Sequence, residues 1–218
     1  MNAGGADDAA EARIGARLPR SFYQATADRV APAMIGKLLV HATDAGIAAG
    51  RIVETEAYCG PEDGAAHSRN WRRTPRTETM WGPPGHAYMF LIYGLHWCFN
   101  AVVAADGVPH AVLVRAVAPV VGRALMARRR GKAPSRRDIS NGPGKLCAAL
   151  GLDAAHKGAD LVTSGLFLAE DLGGDGESHP CVVKTSPRIN IDYAGAWVDK
   201  PWRWYVARDP YVSVNPRT

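Results

Sequence analysis

The run Glu54-Thr55-Glu56-Ala57-Tyr58 sets two carboxylates and a phenol at alternate positions. Alternate side chains of a strand point the same way, so Ile52, Glu54, Glu56 and Tyr58 are expected on one face. That face makes a poor core and a good site. Like charges so spaced raise the pKa of one partner, as a general base or acid requires. Structural ion pairing of both glutamates with arginines fits the same residues, and the pattern leaves the two open. Arg115, inside the apolar run AVLVRAV, needs a partner, because an unpaired buried guanidinium is very costly. Glu56 or a phosphate would serve. Asn100, in CFNAVV, is either a satisfied core amide or a reader of a ligand edge.

Other chemistries find less support. Asn141-Gly142-Pro143-Gly144-Lys145-Leu146 has the backbone donors and the lysine that suit an anion. It is not a Walker motif: the glycine spacing is wrong, and Leu146 stands where a metal-binding hydroxyl belongs. No glycine-rich turn follows a strand as in a dinucleotide fold, and no Ser or Cys sits in a nucleophile elbow. Cys59, Cys98, Cys147 and Cys181 form no CxxC pair and read as reduced thiols. The seven histidines lack ligand spacing, so no metal is expected.

The elements that would carry these residues follow from period and punctuation. Residues 1–20 are Ala- and Gly-rich and read as a mobile tail. Thr26 or Asp28 caps a short helix ending near Gly36, with Pro32 in it. Strands are predicted over 37–41 and 48–58, then a long surface loop over 61–84. Residues 86–93 and 95–103 form a hairpin turning at Gly94, and a further strand covers 110–117. A helix starts at Pro119 and another, capped by Ser140 or Asn141, runs to Leu150. Short strands and turns marked by Gly173-Gly174, Pro180, Pro187 and Pro210 complete one mixed domain without repeats.

The chain has 218 residues, 47% of them hydrophobic and 22% charged, which excludes a disordered chain or a coiled coil. No run approaches the ~18 apolar residues of a membrane span, and the N-terminus lacks signal-peptide order. An intracellular, non-secreted protein is expected. The net charge of +5 is unevenly spread. Residues 107–137 hold Arg115, Arg123, Arg128, Arg129, Arg130, Lys132, Arg136 and Arg137 without one acid, and 65–77 hold Arg69, Arg72, Arg73 and Arg76 likewise. Such blocks fit a polyanion, because each phosphate neutralised releases counterions; an arginine-rich solvated face is the bland alternative.

Taken together, RIVETEAYCGPEDGAAHSR (51–69), RTP (73–75), GPPGHAYMFLIYGLHWCFN (82–100), VLVRAVAP (112–119), NGPGKLC (141–147) and PWRWYV (201–206) resemble the alkyladenine (3-methyladenine) DNA glycosylase family, in the family's order. The resemblance covers nearly all of 21–214. It implies a single α+β domain with a curved antiparallel sheet, surrounding helices and a protruding β-hairpin. It also implies a monofunctional base-excision repair enzyme that works without cofactor. That enzyme would flip alkylated or deaminated purines (3-methyladenine, 7-methylguanine, hypoxanthine, ethenoadenine) from duplex DNA and hydrolyse the N-glycosidic bond. Glu56 then matches the base that activates water, Arg115 the residue orienting it, and Ile189 the main-chain carbonyl holding it. Tyr58 and His67 match the walls about the flipped base, and Asn100 the amide that crowds a guanine's amine. Tyr93 matches the wedge that replaces the extruded nucleotide, and Arg69, Arg76 and Lys145 would face phosphates. Two positions depart: Phe90 replaces a third stacking tyrosine, and Asn190 stands where a glycine often follows the carbonyl. The family precedent is a monomer acting on double-stranded DNA with damaged purines, here in a bacterial cytoplasm at the nucleoid.

Overall fold

Thirteen residues long, the strand β3 (Gly46–Tyr58) changes partners half-way, and the site depends on how it does so. The computed structural model describes residues 10–173 and 182–214. Around β3 stand β1 (Ile14–Arg17), β2 (Leu38–Thr43), β4 (Ala87–Ile92), β5 (His96–Val103), β6 (His110–Val121), β7 (Leu166–Asp171), β8 (Val183–Ser186) and β9 (Arg203–Val206). The order is β1-β7-β2-β3-β6-β5-β4, with β9 added to β3 and β8 to β9. All ladders are antiparallel. The sheet curls into a half-barrel, and with its few helices forms the expected α+β domain.

On one edge, β3 pairs with β2 up to Arg51 and with β9 from Glu54 to Glu56. Its ladder to β6 on the other edge shifts register on either side of Glu54. An extra residue in a ladder bends the strand and inverts the alternation beyond it. Ile52 therefore joins the main core with Ala57, Val112, Val114 and Val117, whereas Val53 packs with Ala116, Tyr205 and Val206. The expectation that Ile52 shares a face with Glu54, Glu56 and Tyr58 fails for this reason: the bulge turns Ile52 to the other side.

That main core is closed by α1 (Ala27–Met34), α2 (Arg123–Arg129) and α3 (Pro143–Leu150). Ala27, Val30, Ala31 and Met34 of α1 and Leu146, Cys147, Ala149 and Leu150 of α3 are fully or almost fully buried in it. The opposite face of β3, β5 and β6 is left for polar side chains. Thr26 takes the N-cap position of α1 without a side-chain bond, and Pro32 lies within the helix.

Three expectations need correction. Ile14–Arg17 is paired with β7 and Leu18 is buried, so this part of the stretch expected to be a tail belongs to the sheet. Pro119 lies in β6 opposite Gly50, where the ladder shifts register and a missing N–H costs little. The helix starts only after Gly122, whose φ of 66° disfavours other residues and where the Ile47 carbonyl oxygen, with which any Cβ would collide, excludes them. Ser140 does not cap α3: its hydroxyl donates to the Val117 carbonyl at 2.6 Å, and Pro143 opens the helix at N1. Gly174, Pro180 and Cys181 lie outside the described residues; Cys59, Cys98 and Cys147 are free thiols.

Candidate active site

Glu54 and Glu56 are both fully buried, so each must find partners within the protein. Arg115 of β6 bridges them, Nε to Glu54 at 3.1 Å and Nη1 to Glu56 at 3.2 Å. Glu54 also accepts from Arg203 Nε at 2.7 Å, from the Ser213 amide at 2.7 Å and from the Ser213 hydroxyl at 2.9 Å. Glu54 thus accepts four bonds, three of them on Oε1. Glu56 takes only two more bonds, from the Tyr58 hydroxyl at 2.9 Å and the Ile189 amide at 2.8 Å. A carboxylate has about four lone-pair sites, so one remains. The two carboxylates thus face two guanidinium groups, which offsets the repulsion of like charges. Burial works against the Arg115 charge, but Glu56 and Glu54 outweigh it and hold that group above its ordinary value. Burial, then the Glu56 charge, pushes the Tyr58 hydroxyl well above the usual phenol range, which keeps it a donor.

In front of this network opens a cavity of about 490 Å³, within the ~300–1,000 Å³ of small-ligand sites. Tyr58, His67, Phe90, Asn100, Arg115 and Ile189 all reach its wall, from six separate places in the chain. Glu56 stands one layer behind, touching three of them. The His67 ring lies edge-on to Phe90, with centroids 4.6 Å apart, and meets the Tyr88 hydroxyl through Nδ1 at 2.9 Å. Asn100 donates its amide to the Tyr88 carbonyl at 3.1 Å. Between β4 and β5 the chain turns through Tyr93 (φ 52°) and Gly94 (φ 68°), the mirror-image turn that suits a twisted hairpin. A left-handed tyrosine is strained, and its ring is 85% exposed, with Leu95 beside it at 75%.

A family model described as methylpurine-DNA glycosylase matches residues 21–210. The chain belongs to the methylpurine-DNA glycosylase family. Among its relatives are proteins of Desulfitobacterium hafniense (strain Y51), 44% identical over 206 residues (91% of this chain, 99% of the relative), and Methanocella arvoryzae, 45% identical over 198 residues (90% and 95%). A third, from Bacillus cereus (strain B4264), is 44% identical over 200 residues (89% and 98%). Each goes under the name of a 3-methyladenine DNA glycosylase. Methylpurine-DNA glycosylases are hydrolases of DNA repair that process alkylated bases.

In this methylpurine-DNA glycosylase the two arginine blocks prove unlike. Six of the eight cations in 107–137 have internal partners. Arg123, Arg129 and Arg130 donate to backbone carbonyls, while Lys132 and Arg136 pair with Asp138. That block is largely structural. From 65–77, Arg76 reaches the cavity wall and lies over Phe90 at 5.4 Å, while Arg69 lies over Tyr193, another wall residue, at 5.5 Å. Arg73 instead pairs with Glu78. Lys145 donates to Asn141 at 3.0 Å and is not on the wall, although Pro143 and Gly144 are.

Asn190 has φ 59°. Asparagine tolerates this region better than other non-glycine residues, so it serves where glycine often stands. Sequence reasoning missed Arg203 and Ser213, which hold Glu54, and the ion pair of Asp63 with Arg188. A signal existed for the pair: Asp63 stands two residues after Pro61, and Arg188 one after Pro187, both in segments that matter to the site.

Burial, then Arg76, Arg69 and Arg72, pushes the His67 pKa down to about 4. The ring is therefore neutral at pH 7. Between about pH 4 and 6.5 the unfolded chain binds a proton that the folded one refuses, so stability rises with pH across that window. Nuclear magnetic resonance of the ring protons should show a His67 midpoint near 4; a midpoint above 6 would contradict the electrostatic environment described.

Proposed function

We propose that this cavity receives a damaged purine rotated out of duplex DNA and that Glu56 activates the water that cleaves its N-glycosidic bond. The observation that carries the reading is a buried carboxylate with one open acceptor site directly behind a cavity walled by rings. Tyr58, His67 and Phe90 offer π surfaces to the base, and a neutral His67 accepts a cationic alkylpurine without repulsion. Glu56 Oε2 is occupied by Tyr58 and Arg115, so water would approach Oε1, where the Ile189 amide now binds. Oε1 accepts that one bond only, so it keeps a lone pair for the water, which the Ile189 carbonyl would also hold. Glu56 takes one proton from the water; the oxygen bonds to the anomeric carbon, and the bond to the base nitrogen breaks. The base leaves, and an abasic sugar bearing a hydroxyl remains.

The strained, exposed Tyr93, with Leu95, fits an apolar wedge for the gap in the stack, offsetting unstacking of about a few kcal/mol. Arg69 and Arg76, which lie over the wall residues Tyr193 and Phe90, would meet phosphates, and Asn100 would crowd an exocyclic amine. Lys145 fits a phosphate only if it leaves Asn141. Among the described residues no lysine lines the cavity, so hydrolysis without strand cleavage is expected.

The test is incubation of the protein with duplexes carrying 3-methyladenine, 7-methylguanine, hypoxanthine or ethenoadenine, followed by counting abasic sites. Release from at least one lesion and none from undamaged duplex is the expected result; release from none overturns the reading. Tyr93→Ala should lower affinity for the lesion duplex about 10- to 100-fold, as loss of a stacked ring does, with the thermal midpoint unchanged.

A further inference from the structure

Arg188 is the least accessible guanidinium in the described chain: its side chain is 0% exposed, and so is that of its partner Asp63. The two form a fork, Nη1 to Oδ2 at 2.5 Å and Nη2 to Oδ1 at 2.8 Å. Nη1 also donates to the Ala57 carbonyl at 2.8 Å. The guanidinium plane is held between the rings of Tyr58, 4.9 Å away, and Trp202, 5.1 Å away. Asp63 in turn accepts the amides of Cys59 and Ala65, both at 3.0 Å, which folds the turn leading to His67. Nothing in the bond cleavage itself uses either residue.

Their place in the chain gives them a role. Arg188 directly precedes Ile189, whose amide binds Glu56, and Asn190 beyond it is left-handed. One side of the Ile189 peptide is thus anchored by the most buried charge pair described, and the other leaves through a turn. A buried pair of this kind is a weak source of stability, since desolvation consumes most of its attraction, but a strict source of geometry. Ala57, to which Arg188 is bonded, is the residue after Glu56. The same fork therefore fixes both the carboxylate and the peptide that faces it.

We propose that Arg188, locked by Asp63, is a positioning residue that sets the Ile189 peptide against Glu56 and so defines where the attacking water sits. This rests on the glycosylase reading given above for its kinetic consequence, though not for its structural one. The arrangement also couples water placement to the base pocket, because Asp63 and Tyr58 belong to the wall's own turn and strand.

Arg188→Lys keeps the charge and loses the fork. Measured on a hypoxanthine duplex at saturating protein, its single-turnover base release should fall about 100-fold, the usual cost of misplacing a reacting group by about 1 Å. Its affinity for that duplex should stay within about threefold, because no DNA contact is removed. Amide hydrogen exchange supplies a readout independent of activity. Protection of the Ile189 amide should drop about 10-fold in Arg188→Lys, with β5 and β6 unchanged. Unchanged Ile189 protection overturns the proposal, whether or not any lesion is released. Asp63→Asn/Arg188→Met removes both charges and should recover most of the thermal midpoint lost by Arg188→Met alone. If base release recovers along with the midpoint, the pair is only structural and the proposal fails. An inactive wild-type protein whose Ile189 amide still loses protection in Arg188→Lys would overturn the glycosylase reading and leave the clamp standing.

Discussion

Glu56→Gln should slow base release by about 10²- to 10⁴-fold, the usual contribution of a general base, while binding to lesion duplex persists. An amide has one acceptor oxygen where the carboxylate has two. Turned toward Tyr58 and Arg115, that oxygen keeps both bonds at the Oε2 position, and the new NH₂ group then confronts the Ile189 N–H. No basic site remains for water. The fold is expected to survive, because Arg115 keeps Glu54 and the neighbouring strands lose no apolar contact. The measurement is single-turnover abasic-site formation beside a binding titration on the same duplex. Rates within about threefold of wild type would remove Glu56 from the chemistry.

Arg115→Met should have the largest effect on stability. Arg115 is 8% exposed and is shared by two fully buried carboxylates. A methionine fills similar volume but leaves Glu56 with two neutral donors and Glu54 dependent on Arg203 and Ser213. Breaking one member of a buried ion-pair network costs about 3–5 kcal/mol. At about 2–4 °C per kcal/mol for a chain of this size, the thermal midpoint should fall by about 6–20 °C. Activity should vanish with it. A midpoint within about 2 °C of wild type would show that the carboxylates are not held as described.

Much of the site is legible in the amino-acid sequence, and for a physical reason. Two acids and a phenol at alternate positions of an apolar strand, and an arginine inside another, are too costly to bury unless they meet. The ion-pair reading of the acidic strand describes both glutamates, which Arg115 bridges, while the catalytic reading of Glu56 is the proposal made above. The hairpin is legible because Gly94 interrupts two aromatic runs, and the turn there is the one such a glycine favours.

What escapes depends on pairings far apart in sequence. Nothing local in IVETE marks a register shift, which arises because β3 must serve β2 and β9 in turn while staying on β6. The acid-free arginine block reads as a polyanion surface only while its carbonyl partners, such as Leu150 and Ile139, are out of sight. Pro119 suggests a helix start because the bulge that accommodates it in β6 involves Gly50, some seventy residues earlier in the chain. Asp63 and Arg188 are 125 residues apart and become partners only through folding.

The register shift near Glu54 also bears on which genetic changes this lineage can survive. The strand carries its inward-facing residues in one phase before the shift and in the opposite phase after it. Removing a single codon at Val53 would return Ile52 and Glu54 to unbroken alternation with their neighbours. Alternation alone would then keep Ile52 in the apolar layer and the acids out of it, but β6 carries its own extra residue, Arg115, at the shift, so the two strands could no longer pair in register on both sides of Glu54. The long connection over 61–84 can gain or lose residues at much smaller cost, since loop closure grows slowly with length. Length variation should therefore be readily inherited on the loop side of Tyr58 and eliminated on the strand side, within a few residues of each other.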